Sequence, residues 1–185
     1  MRKKFFFNIF ILIFFSVLSY SNIKEEVLNK STSSFIFLQS SDSLLNIKYN
    51  KIFDLYKKRE YIKSLKRALA FSEEIKFINS PNLKYKSLLL IADIYERTNK
   101  YNKSLKYYKL SLDILISSKL SVENNDIFPK SYFSKTFLRI GSSFQKQQKN
   151  DSAKYYYNKS INVNSLDNET LKYQAISYSN LSGIY

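Results

Sequence analysis

The chain has 185 residues, 44% hydrophobic and 17% aromatic, which is enough apolar material to bury a core and excludes a disordered chain. With no cysteine, histidine or tryptophan and only two glycines, it excludes disulfides, thiolate or imidazole metal sites, His- or Cys-dependent catalysis and a glycine-rich phosphate loop. The formal charge is +15, but 25 of the 30 cations are lysine and no dense block gathers them, so a solvated surface is expected in place of a phosphate-binding face.

The chain opens on Met1-Arg2-Lys3-Lys4, continues through an apolar run from Phe5 to Leu18 broken only by Asn8 and Ser16, and reaches the small residues of Ser19-Tyr20-Ser21. A positive start, an apolar middle and a small-residue end predict a secretory signal peptide over residues 1–21. The run covers 14 residues, short of the ~20 that span a bilayer. Cleavage would remove three cations and leave +12. The expected location is therefore exported, either periplasmic or secreted, or membrane-tethered in a longer parent protein. Residues 22–43 are polar and Ser-rich except for Phe35-Ile36-Phe37-Leu38, and predict a lead-in whose apolar patch docks on the first helix.

From about residue 44 to Tyr185 the apolar spacing is helical. A first copy of a pattern, over about 44–79, reads Tyr49-x-x-Ile52-Phe53-x-x-Tyr56, then Tyr61, Ser64 and Ala68. It places Phe53 in a slot held elsewhere by a small residue, and its turn, Lys58-Arg59-Glu60, is one residue short. The second copy, about 80–118, begins at Ser80-Pro81, where a capping hydroxyl and a first-turn proline predict a helix start. It reads Leu88-x-x-Ile91-Ala92-x-x-Tyr95, turns at Thr98-Asn99-Lys100, and continues with Ser104, Leu105, Tyr108 and Ser111. A polar stretch from Ser117 to Asp126 predicts a long loop, and Asp126 to Pro129 a further helix start.

The third copy, about 129–164, reads Phe137-x-x-Ile140-Gly141-x-x-Phe144, turns at Gln148-Lys149-Asn150, and continues with Ala153, Tyr157, Ser160 and Ile161. Spacings of three, four and seven put each set on one helix face. Ala92, Gly141 and Ser182 are expected where a neighbouring helix approaches closely, since glycine inside a helix costs ~1 kcal/mol against alanine and needs a packing reason. After a start at Asp167-Asn168 the pattern begins again as Tyr178-x-x-Leu181-Ser182-x-x-Tyr185. This copy over 168–185 is incomplete, with the expectation that the chain is the amino-terminal part of a longer product or of a truncated gene.

The order of large, small and aromatic slots resembles the tetratricopeptide repeat, or TPR, a helix-turn-helix unit. The resemblance covers about residues 44–185 and implies an all-α stack of antiparallel helix hairpins, an α-solenoid of about three and a half repeats. The copies are longer than the family's standard of about 34 residues. Ser64 to Ser104 is 40, Ser104 to Ala153 is 49 and Ile140 to Leu181 is 41, so longer second helices are expected. The packing set is Leu88, Ile91, Ala92, Tyr95, Tyr108, Ile140, Gly141, Phe144, Ala153, Tyr157, Leu181 and Tyr185. Among Tyr155-Tyr156-Tyr157, one ring is expected to be exposed or buried against the next repeat.

In that family, first-helix residues off the packing stripe line a concave peptide-binding groove. By position these are Asn50, Asp54, Lys57 and Lys58, then Lys86, Leu89, Asp93, Glu96 and Arg97, then Lys135, Leu138, Ser142, Gln145 and Lys146. The set is mixed in charge and lacks the Lys-Asn-Asn-Lys-Arg arrangement with which some members clamp a terminal carboxylate. The acidic pairs Glu25-Glu26 and Glu73-Glu74 diverge by about 100° on a helix, so they do not converge for acid-base catalysis. No catalytic, metal or cofactor residue is expected, and no small-molecule substrate.

The expected function is an exported scaffold that binds a protein or peptide. A signal peptide followed by expanded repeats also resembles bacterial sensor-regulators, in which such repeats lead to a membrane helix and a kinase or DNA-binding output. This chain would then be the sensing part, with a membrane segment lying only beyond Tyr185. The alternatives are a free-standing secreted adaptor or a basic module for a membrane surface or a nucleic acid, the last disfavoured by export.

Overall fold

The computed structural model describes residues 43–120 and 128–184. The predicted signal peptide, almost all of the lead-in, Asp126 and Tyr185 lie outside these residues. Among these described residues seven helices follow in order: α1 over 43–57, α2 Tyr61–Glu74, α3 Pro81–Arg97, α4 Tyr101–Leu120, α5 Lys130–Gln145, α6 Asn150–Ile161 and α7 Asn168–Ser182. Contacts divide the chain after Ile47, and the array treated below is the unit from Lys48 onward. No helix among the described residues is long and apolar enough to cross a membrane.

The helices pack in sequential pairs because three turns close in the same way. The amides of Glu60, Lys100 and Lys149 donate to the carbonyls of Leu55, Tyr95 and Phe144 at 3.0, 2.8 and 3.0 Å. Those of Arg59, Asn99 and Gln148 donate to Tyr56, Glu96 and Gln145 at 2.9, 3.1 and 2.8 Å. Arg59, Asn99 and Gln148 have φ of 63, 59 and 59°. This is the helix-ending cap built on a left-handed residue, a position where glycine is usual and where this chain has none.

The identical caps correct the expected register of the first copy. They pair Leu55, not Tyr56, with Tyr95 and Phe144, so Ile52, not Phe53, occupies the small slot. Ile52 is buried at 6% exposure, whereas Phe53 is 36% exposed. The turn is full length, because its two hydrogen bonds require a set number of residues before the next helix can start. The side-chain pattern shifts by one residue to keep it.

Packing follows the stripes. Ile91, Ala92, Tyr95, Tyr108, Ile140, Phe144, Ala153 and Tyr157 are buried, while Leu88 and Leu181 are half-buried. Tyr95 stacks on Tyr107 with ring centres 5.6 Å apart. A Cβ on Gly141 would lie 2.7 Å from the Tyr157 ring and 3.3 Å from the Ala153 carbonyl, so glycine is what lets α6 approach α5. Ser182, assigned to the same kind of slot, is exposed. Of the three adjacent tyrosines, Tyr155 is exposed, Tyr156 half-buried and Tyr157 buried.

Three buried serines serve the same close packing, each with its hydroxyl bonded to a neighbouring helix. Ser64 donates to the Ile52 carbonyl at 3.1 Å, Ser160 to the Ser134 carbonyl at 2.9 Å and Ser177 to the Ser160 hydroxyl at 2.9 Å.

The predicted helix starts hold, but the longer second helices are found only at α4, since α2 and α6 run for 14 and 12 residues. Asp167 caps α7 by accepting the Thr170 amide at 2.8 Å. Ser80 precedes Pro81 at the start of α3 as expected, but its hydroxyl makes no cap bond. The predicted loop from Ser117 is helical through Leu120, because α4 runs for 20 residues and absorbs part of the longer spacing.

Candidate functional site

Lys86, Leu89, Asp93 and Glu96 recur on α3 at steps of three and four, and Lys135, Arg139, Ser142 and Lys146 do so on α5. Each set therefore shares one helix face. The two faces meet residues of α1 and enclose two adjoining hollows. The smaller, ≈ 180 Å³, is walled by Tyr49 and Phe53 of α1, Tyr85, Lys86, Leu89 and Leu90 of α3, and Tyr132 and Lys135 of α5. The larger, ≈ 340 Å³, is lined by Tyr56, Glu96, Arg97, Asn99, Arg139, Ser142 and Lys146. Asp93 borders both.

Asp93 is the electrostatic centre. Its carboxylate is 15% exposed and lies 3.6 Å from the Arg139 Nε. The Tyr108 hydroxyl sits 2.5 Å from Asp93 Oδ1 and 2.6 Å from Glu96 Oε2. A phenol carries one proton, so it can donate to only one of the two carboxylates at a time. Burial raises the Asp93 pKa, with the neighbouring Arg139 charge opposing. Glu96 also accepts from the Ser142 hydroxyl at 3.1 Å. Burial lowers the Lys135 amine below its ordinary value, and the Asp93 charge opposes that shift. Arg97 bonds the Tyr56 hydroxyl.

The apolar hollow is built from stacked rings. Tyr85 and Tyr132 lie 4.8 Å apart at 17°, and the Tyr85 hydroxyl lies 3.1 Å from the Thr136 hydroxyl. Burial raises the pKa of Tyr85 and of Tyr49, so both remain neutral donors.

Of the sequence-predicted groove residues, Lys86, Leu89, Asp93, Glu96, Arg97, Lys135, Ser142 and Lys146 line these hollows. Asp54 does not: it pairs with Lys57 at 2.7 Å on an exposed face. Gln145 lines neither hollow, because its side-chain oxygen accepts the Tyr157 hydroxyl at 2.7 Å. Leu138 is buried in the core cluster.

Sequence reasoning missed Arg139, although its steps of four from Lys135 and three to Ser142 put it on the groove face. It also missed Tyr49, Phe53 and Tyr56, which it assigned to the packing pattern of the first copy, and Tyr85 and Tyr132, which it did not single out. Tyr108 serves both ends, with its ring in the core and its hydroxyl on the groove carboxylates. Among the described residues no group of acidic side chains could hold a metal ion. The arrangement offers ion pairing, hydrogen bonding and ring contact along one face.

No family model and no curated protein matches the chain. Solved structures do. The TPR domain of Arabidopsis FLU superposes with a TM-score of 0.53 at 15% identity, over 62% of this chain and 88% of that one. BtubC from P. vanneervenii superposes with a TM-score of 0.54 at 18% identity, over 71% of this chain and 50% of that one. With the repeated caps, small slots and paired helices, this likeness makes the chain a TPR-like helical repeat protein.

Proposed function

We propose that the protein is an exported, non-catalytic scaffold whose groove on α1, α3 and α5 binds a protein or peptide segment. The observation that carries the binding reading is the pair of hollows meeting at Asp93, which places an aromatic wall beside charged and hydroxyl groups on one continuous face. Stacked hairpins present such a face as an extended surface, without an enclosed substrate cavity.

Photo-crosslinking tests this reading. Peptides selected from a random display library on the full chain would be crosslinked to it and the sites mapped. Crosslinks on α1, α3 and α5 are expected; crosslinks confined to α2, α4 and α6 would refute it.

Export rests on the charged, apolar and small-residue order of residues 1–21. Amino-terminal sequencing of protein from expressing cells should show cleavage after about residue 21, and an intact Met1 in the cell interior would refute it. A sensing role in signal transduction rests on the likeness of an export signal followed by expanded repeats to sensor-regulators. A membrane segment and output domain encoded in the same reading frame would support it, and their absence would leave a secreted adaptor.

A further inference from the structure

The groove's carboxylates are satisfied from within, whereas among the described residues Arg139 alone of its cations pairs with a carboxylate. Asp93 has Tyr108 and Arg139 as partners, and Glu96 has Tyr108 and Ser142. Arg139 lies 3.6 Å from Asp93 through its Nε, longer than a hydrogen bond, and lines the larger hollow beside Arg97 and Lys146. Lys86 and Lys135 stand at the smaller hollow. Five cations against two carboxylates leave the face positive by three.

The two hollows sit at different heights on the helices. Tyr132, on the aromatic wall, and Arg139 are seven residues apart on α5, which is about 10 Å along the axis. An extended chain covers that distance in about three residues.

Resting on the peptide-groove reading, we propose that the occupant is an extended acidic peptide segment. Its Asp or Glu carboxylate meets Arg139, Arg97 and Lys146, and an aromatic or large aliphatic side chain about three residues away fills the hollow walled by Tyr49, Phe53, Tyr85 and Tyr132. A planar guanidinium with free donors is suited to a carboxylate, and charge-assisted bonds in a partly buried site are stronger than neutral ones. The apolar side chain supplies the contact area that a charge pair alone lacks.

The test uses the full chain and four labelled nine-residue peptides in a Gly/Ser host, read by fluorescence anisotropy. They carry Glu and Phe three positions apart, Gln and Phe, Lys and Phe, or Glu and Ala. The Glu/Phe peptide is expected to bind about ten-fold or more tighter than the other three and to weaken with salt. Arg139→Gln should remove the preference for Glu over Gln. Because Arg139→Gln also unpairs Asp93, the exposed Arg97→Gln and Lys146→Gln variants are measured beside it and should each weaken Glu/Phe binding several-fold.

Equal affinity for the Glu and Gln peptides, with crosslinks still on α1, α3 and α5, would overturn the acidic occupant and keep the groove. Equal affinity for the Phe and Ala forms would overturn the aromatic subsite. Failure of all four peptides to bind at millimolar concentration, or crosslinks only on the outer helices, would overturn the groove reading as well.

Discussion

Replacing Gly141 with alanine sets two known effects against each other at one atom. Alanine in a helix interior is better than glycine by ~1 kcal/mol. The added methyl would lie 2.7 Å from two carbons of the Tyr157 ring and 3.3 Å from the Ala153 carbonyl. The ring cannot swing away, since it is wholly buried and its hydroxyl is held by Gln145 at 2.7 Å. Relief must therefore come from moving α6 off α5.

Overpacking of this kind typically costs ~1–3 kcal/mol, and a clash with a locked ring belongs at the upper end. The net expectation is a loss of about 2 kcal/mol, read as a urea midpoint lower by about 1 M for a slope of about 2 kcal/mol per molar. Circular dichroism at the helical band follows the transition. Tyr157→Leu removes the obstructing ring, so in that background Gly141→Ala should cost nothing or stabilise. Gly183→Ala is the control: among the described residues the nearest atom to its added methyl is the Asn180 carbonyl at 3.6 Å, and it should gain ~0.4–1 kcal/mol. An unchanged or raised midpoint for Gly141→Ala would refute the reasoning.

Tyr95→Ala should destabilise the array by ~3–5 kcal/mol, as expected for a buried ring that also loses its stack on Tyr107, and an unaltered thermal melt would contradict that placement. Gln148→Gly relieves a left-handed residue at φ 59° and should stabilise by ~1 kcal/mol in urea unfolding; destabilisation would show that the side chain, not the backbone, matters there. The two capping and groove aspartates should titrate on opposite sides of the ordinary value in carbonyl-detected NMR. Asp167, held by Ser165 and Thr170, is lowered to about 2, so its contribution to stability is present above ~3.9 and is lost as pH falls through about 2. Asp93 is raised by burial, so its contribution is complete below the ordinary aspartate value and is lost as pH rises through the raised one. Coincident titrations would refute both assignments.

The hairpin array was legible because its causes are local. Steps of three and four residues set a helix face, and a small residue in that face marks a close approach, as Gly141 against Tyr157 shows. The cap at Asp167 could be read from its immediate neighbours, since its carboxylate reaches no further than Ser165 and Thr170. Local spacing misjudged the first copy, where aromatic Tyr56 attracted the alignment that Leu55 holds. Side-chain type is a weak marker of register when the hydrogen-bonded turn, invisible in residue identities without a glycine, decides it.

The groove was half legible. The repeat resemblance placed Asp93, Glu96, Arg97 and Ser142 on the face that lines the larger hollow. It did not separate Asp54 and Gln145, which find partners of their own, from residues that converge. Convergence depends on contacts between repeats: Ser142 reaches Glu96 across 46 residues and Tyr85 reaches Thr136 across 51.

The sequence by itself determined helices, pairs and the small slots at Ala92 and Gly141, because each is written within a few turns of one helix. Only the tertiary structure decided that Arg139 faces Asp93 and that Tyr108 spans two carboxylates. It alone placed rings from three helices around one hollow. Those neighbours are set by how closely whole hairpins stack, and that distance is not encoded in the spacing within any one of them.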